Sequence, residues 1–316
     1  MKLHGKGFSI TRSEAEALGL GKRDGLEAFI RPYRNGRDLT GLPIDGPRDK
    51  MVIDLFGLTE KAVRQKYHEV HQHLYATVKP ERDLNRRATY RDNWWIFGEP
   101  RRELRPALAG LMRYIATVDT AKHRVFQFLD SNTVCDDKVV IIAAADDHSL
   151  GILSSSAHLY WATTTGGMLE DRPVYVKSKV FDPFPFPDAT PEQRASIAEL
   201  AEELDSTRKA ALAEVPGLTM TEIYNLRAKL QSGEKLSPTD EDRARAARAG
   251  IVHRLHEQID TAVAEAYGWP ADLTPSEIIT RLVALNAERA KEEAEGNIRW
   301  LRPEYQIPRF GTATKG

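Results

Sequence analysis

One cysteine in 316 residues, Cys135, leaves no second thiol for an internal disulfide, so any fold must rest on packing alone. With no His-plus-acid pattern nearby, that thiol reads as a small buried filler rather than a nucleophile. No apolar run approaches the ~18–20 residues that a membrane-spanning helix needs, and the N-terminal stretch lacks the apolar centre of a secretory signal. The expectation is a cytoplasmic chain with no membrane partner. The recurring catalytic signatures are missing too. There is no strand-linked G-x-G turn, P-loop, G-x-S-x-G elbow, C-x-x-C pair or H-E-x-x-H helix, and no nuclease-type carboxylate–lysine pattern. No catalytic, cofactor-binding or metal-ligating residue is expected in this chain.

Charge excludes less. The net charge of -1 hides an asymmetry: residues 1–187 hold 28 Lys and Arg against 24 Asp and Glu, and the remainder holds 17 against 22. A surplus of 4 permits a polyanion partner without demanding one.

What is present divides at Tyr175-Val-Lys-Ser-Lys-Val-Phe-Asp-Pro-Phe-Pro-Phe-Pro187. Its first half alternates like a strand carrying Lys177 and Lys179. Its Phe-Pro repeat can continue neither a helix nor a central strand, and it sets Phe184 and Phe186 on one side of an extended backbone. Upstream, Thr11-Arg-Ser-Glu14 is a capping box, and the glycines at 19, 21 and 25 read as turns closing that helix. Residues 51–55 form a strand candidate. Thr59 then caps a helix with the stripe Val63, Tyr67, Val70, Leu74 and Val78, ended by Lys79-Pro80. His68, His71 and His73 on that stretch do not share a face. Strand-like runs follow at 114–118, 125–129 and 139–143, and Leu150, Leu153, Ala157, Tyr160 and Trp161 share one helical face.

Downstream, the chain reads as nearly pure helix. Caps stand at Thr190, Thr219, Ser237 and Thr274, and a stripe through Ala244, Ala247, Ile251, Leu255, Ile259, Ala262 and Ala266 forms the third helix. The residues after Phe310 read as disordered. The predicted class is α+β: a mixed strand-and-helix domain, 1–187, followed by an all-α domain, 188–316.

Recognition chemistry is what remains. Arginine, lysine, Asn/Gln and aromatics on loops between strands can neutralise phosphates and pair with base edges. The candidates are Arg31, Arg34 and Arg37; Arg86, Arg87 and Arg91; Lys122, His123, Arg124 and Gln127; and Lys177 and Lys179. Trp94, Trp95 and Phe97 read as core beneath a basic rim, whereas Lys122 and Arg124 read as facing DNA. Two other classes compete. One is a metal-dependent enzyme built on Asp136, Asp137, Asp146, Asp147 or His148. The other is an adaptor that binds protein through its acidic helices.

Several strings in order carry a family likeness: Ile30-Arg-Pro-Tyr-Arg-Asn-Gly-Arg-Asp-Leu39, Asn93-Trp-Trp-Ile-Phe-Gly-Glu-Pro-Arg101, Arg113-Tyr-Ile-Ala-Thr117, Leu150-Gly-Ile-Leu-Ser-Ser155, 175–187, and the tail from Asn286 to Gln306. They resemble the C-terminal part of class I S-adenosylmethionine-dependent DNA methyltransferases of the MmeI-like type IIL restriction–modification family. The resemblance implies a target recognition domain plus a helical C-terminal domain that read double-stranded DNA. Adenine-N6 methylation is then done by a methyltransferase domain or subunit lying elsewhere. S-adenosylmethionine belongs to that domain. Its N/D-P-P-Y/F motif is absent here, and Asp182-Pro183-Phe184 does not replace it.

Overall fold

In the computed structural model, which describes residues 1–41, 49–170 and 172–311, two apolar cores organise the chain. The expectation of disorder beyond Phe310 falls largely on 312–316, outside the described residues.

The first core lies under β1 (Ser9–Thr11), α1 (Arg12–Ala17), β2 (Ile30–Arg34) and β3 (Lys50–Ile53), while α2 (Gly36–Gly41), between β2 and β3, gives Leu39 to the second core. Thr11 and Glu14 close the capping box, with Glu14 N–H reaching Thr11 Oγ1 at 3.1 Å and Thr11 N–H reaching the Glu14 carboxylate at 2.7 Å. Gly19, Gly21 and Gly25 all take left-handed φ, the turn predicted to end α1. The stripe from Val63 to Val78 is buried as predicted, but its helix breaks at Tyr67 into α3 (Glu60–Lys66) and α4 (His68–Thr77). Lys79-Pro80 does not end the helical run. Proline sits in the first turn of α5 (Lys79–Asp83), where its missing N–H has no helical acceptor to serve. The buried Arg82 of α5 then donates to the carbonyls of His4, Leu3 and Ile96 at 2.5, 2.9 and 2.9 Å. Past α6 (Ala88–Asp92), Trp94 and Phe97 enter this core and Trp95 donates to Leu58 O at 2.8 Å, so the aromatic cluster is structural as expected.

After α7 (Leu104–Leu108), the second core begins with β4 (Arg113–Val118) and β5 (Gln127–Asp130). Strand β6 (Val134–Cys135) leaves to pair in parallel with β2, completing the order β1-β3-β2-β6. Strand β7 (Val139–Ile142) returns, giving an antiparallel β5-β4-β7 sheet. Next come α8 (Asp147–Ser154) and α9 (Ser156–Gly166), two helices where one was predicted, and then the small hairpin of β8 (Met168–Leu169) and β9 (Arg172–Pro173). The segment after Tyr175 is not the predicted strand. Tyr175 N–H is held by Asp119 O at 2.7 Å, and beyond it, with no partner strand among the described residues, the chain coils into a wide turn. Asp182 N–H closes that turn on Lys177 O at 2.9 Å, and Lys177 Nζ grips the Asp182 carboxylate at 2.6 Å. Phe184 and Phe186 do face one way, their rings 5.3 Å apart, with Phe184 seated 4.4 Å from His158.

The helices α10 (Pro191–Glu214), α11 (Met220–Gln231), α12 (Pro238–Ala246), α13 (Ala249–Ala266), α14 (Pro275–Ala294) and α15 (Pro303–Phe310) complete the α+β fold, and all four predicted caps make their bonds. Arg248, with φ 54°, splits the third predicted helix and rotates its stripe. Val252, Leu255, Ile259 and Val263 are buried, whereas the predicted Ile251 is 38% exposed.

The second core does not stop at Pro187: it runs from Tyr114 through α8 and α9 to Leu282 of α14. At Gly151 the backbones of α8 and α10 come so close that a Cβ would stand 2.5 Å from Ile197 Cγ2 and 3.1 Å from Ile197 O. Gly151→Ala is therefore expected to lower stability by about 1–3 kcal/mol, because overpacking pushes α8 off α10. Urea denaturation checks this, and Ile197→Ala in the same chain should recover part of the loss.

Candidate nucleic-acid interface

An open cleft of ≈ 570 Å³ lies where the start of α2 meets the loop after β4, the turn into β7 and the β8–β9 hairpin. A Cβ at Gly36 would stand 2.6 Å from Val118 Cγ1, so glycine lets α2 approach β4 this closely. Asn35 and Asp38 cap each other's backbone, Asn35 N–H to Asp38 Oδ2 at 2.9 Å and Asp38 N–H to Asn35 Oδ1 at 3.1 Å, which fixes the turn presenting Arg37. Arg37, Lys122, His123, Lys138 and Arg172 line the cleft together with Asp119 and Asp136. Lys138 lies 3.4 Å from Asp119, and Arg172 pairs with Glu170 at 2.7 Å. Burial pushes the Asp136 carboxyl up, Asp137 adds to it, and Lys138 N–H bound to Asp136 Oδ1 at 3.0 Å opposes both.

The loop itself is tied down from the helical side. Lys122 Nζ and His123 Nε2 both donate to Asn225 Oδ1 of α11, at 2.9 and 2.8 Å. Burial lowers the His123 pKa, with Lys122 and Arg227 adding to it against the Asn225 bond, so the ring is neutral near pH 7.

The predicted contacts separate into three groups. Arg37, Lys122 and His123 line the cleft, Arg37 and Lys122 being exposed. Arg34 is half-buried and donates to Tyr33 O at 3.0 Å. Arg86, Arg87 and Arg91 lie away from the cleft. Arg87 donates to Tyr90 Oη at 3.0 Å, and Arg91 donates to Asn85 O and Arg86 O at 2.7 and 3.1 Å. Lys177 and Lys179 are exposed on the wide turn, just past the Tyr175 N–H that Asp119 O holds.

The third group corrects the sequence reading. Gln127 is 1% exposed, with Nε2 donating to Leu39 O at 3.3 Å, so it cannot reach a groove. Arg124 is a scaffold for its own loop. Its guanidinium donates to Thr117 Oγ1 at 3.3 Å, Asp119 O at 3.3 Å, Pro173 O at 2.8 Å and Val118 O, and lies 5.1 Å from the centre of the Tyr175 ring. Burial lowers its pKa to about 10, which still leaves it charged at neutral pH. Arg31 pairs with Asp54 at 2.7 Å, a carboxylate that Arg105 also grips at 2.8 Å through both nitrogens. Sequence reasoning missed Lys138, hidden behind the acid pair Asp136-Asp137, and Arg172; it also missed Asn225, which had no local signal.

Among the described residues, several of the carboxylates and histidines weighed for other chemistries are engaged elsewhere. Asp146 caps α8 through Ser149 N–H at 2.8 Å, and Asp147 pairs with Arg113 at 2.6 Å. His71 meets Glu60 at 3.2 Å, whereas His73 turns to Gly7 O at 2.8 Å. Among the described residues no group of three or more His, Cys, Asp or Glu could hold a metal ion. The glycines at 19, 21 and 25 stand at the end of α1, so they form no strand-to-helix cradle for S-adenosylmethionine. No helix among the described residues is long and apolar enough to cross a membrane.

Residues 102–188 match the family described as MmeI, target recognition domain. That stretch holds β4 to β9 and the loop at the cleft, and ends one residue past Pro187. The structure of the type IIL restriction–modification enzyme MmeI in complex with DNA is similar to this chain, with a TM-score of 0.64 and 18% identity. The likeness covers 92% of this chain and 35% of that one, so the chain spans about a third of the length of that enzyme. No curated protein matches. The likeness drawn from the sequence strings therefore holds: this chain resembles the target recognition and helical C-terminal parts of MmeI-like type IIL restriction–modification enzymes.

Proposed function

We propose that this chain reads DNA sequence for a restriction–modification enzyme, while a methyltransferase domain or subunit elsewhere methylates adenine N6. The observation that carries this reading is the position of the cleft. The loop bearing exposed Lys122 lies inside the matched target recognition domain, and it faces Arg37 across an open basic groove. Guanidinium and ammonium groups held this way neutralise phosphates or pair with guanine edges. A loop already fixed by Arg124 and Asn225 gives up little conformational freedom when DNA arrives. S-adenosylmethionine, bound to the partner, supplies the methyl group. This chain binds the duplex, sets its register and brings the target base to the partner's pocket. The reading places the protein in the cytoplasm, with the DNA.

Selection from a randomised duplex pool tests it: one motif should be enriched by the chain with its methyltransferase partner, and an unenriched pool would sink the reading. Salt dependence adds a second expectation. The cleft offers Arg37, Lys122, Lys138 and Arg172 against two acids, so few phosphates are neutralised. For the isolated chain, log K against log salt should fall with a slope no steeper than about -5. A steeper slope in anisotropy titrations would place the duplex over a much larger basic surface.

A further inference from the structure

We infer that Asn225 and Arg208, on the helices that follow the matched domain, are positioning residues that hold the loop 122–126 in the shape in which it meets DNA. The inference rests on the DNA-reading function above and goes beyond it, because both residues lie outside 102–188. Two donors from the tip of the loop converge on one amide oxygen, and that oxygen can only accept, so His123 carries its proton on Nε2. The ring centres of His123 and Tyr224 are 6.1 Å apart. Behind that ring the bonds run in one direction. Buried Arg208 donates to Tyr224 Oη at 2.8 Å, and Tyr224 therefore gives its own proton to His256 Nε2 at 2.8 Å. Arg208 also donates to Phe126 O at 2.8 Å and to Asp205 at 3.0 Å. Thus α11 holds one end of the loop, α10 holds the other, and Arg124 braces the middle. Lys122 keeps two further N–H donors and stays exposed, so the Asn225 bond sets where its ammonium points.

The test uses the full chain with Asn225→Leu, which has similar size and no acceptor, and Asn225→Asp, which keeps the acceptor. Asn225→Ser serves if the leucine variant does not fold. Two readouts are taken: the NMR titration of the His123 ring, and the preference for the selected duplex over a scrambled one. Without the amide oxygen the His123 pKa should fall further, because the Asn225 bond raises it, and aspartate should raise it instead. The preference should drop by about tenfold in Asn225→Leu and largely return in Asn225→Asp. An unchanged His123 titration in Asn225→Leu overturns the clamp. A shifted titration with unchanged preference overturns its role in reading. A wild-type chain that selects no sequence overturns the DNA reading itself, and the positioning role falls with it.

Discussion

Arg208→Ala is expected to cost about 3–5 kcal/mol of stability, read as a lower urea midpoint with an unchanged slope. The guanidinium is fully buried on α10 and joins three elements by holding Tyr224 Oη, Phe126 O and the Asp205 carboxylate. Burial pulls its pKa down, but Tyr224 and Asp205 outweigh this and hold it above the usual arginine value, so the cation is present throughout the folded range of pH. Removing it strands Phe126 O in an apolar core and leaves buried Asp205 with Lys209 alone, at 2.9 Å. Groups left unpaired in this way carry most of the cost. Arg208→Met with Asp205→Leu should lose less than Arg208→Met by itself, and equal losses would mean that side-chain volume matters and the charge pair does not. Tyr224→Phe, which removes one hydroxyl and leaves His256 Nε2 without a donor, should cost only about 1 kcal/mol.

Helix starts were legible in the sequence because a capping box needs only four residues, and Thr11, Thr190 and Thr274 close theirs as their spacing predicts. Helix breaks were not. The apolar stripe runs unbroken through Tyr67, and only its backbone, φ -131° and ψ 63°, separates α3 from α4. Arg248 hides a second break in the same way, by taking a left-handed turn that no apolar pattern announces. The Phe-Pro run marked a true change of secondary structure, yet α8 and α9 still needed cover for their apolar faces, and α10 and α13 supply it. At the cleft, charge and loop position could be read but burial could not. Lys122 and Arg124 look alike in sequence, and it is Thr117 Oγ1 with the carbonyls of Val118, Asp119 and Pro173 that makes Arg124 part of the scaffold. Gln127 reads as the polar end of the basic segment 122–127, but it opens β5, where Gln127, Phe128 and Leu129 are all buried and no alternation marks an outward face.

Reversing charge at Arg37 and Lys122 together is expected to weaken duplex binding by about a hundredfold or more at low salt, while stability falls by no more than about 1 kcal/mol, for the lost exposed bond from Lys122 to Asn225. Both side chains are exposed and line the same cleft, so glutamate at either position disturbs no core. Each reversal removes a cation from the path of the phosphates and adds a like charge, next to Asp119 and Asp136 already present. The log–log salt slope should become shallower by about 2, one for each lost phosphate contact. Arg124→Ala and Gln127→Ala supply the contrast. They strip donors from Pro173 O and Leu39 O inside the fold, so they should lower stability by about 1–3 kcal/mol, with any loss of DNA binding following from that. Anisotropy titration and urea denaturation on the same preparations separate the two patterns. Unchanged affinity in the Arg37→Glu, Lys122→Glu double variant would mean that DNA passes over another face of the molecule, with the exposed Arg86 and the half-buried Arg91 the next cations to reverse.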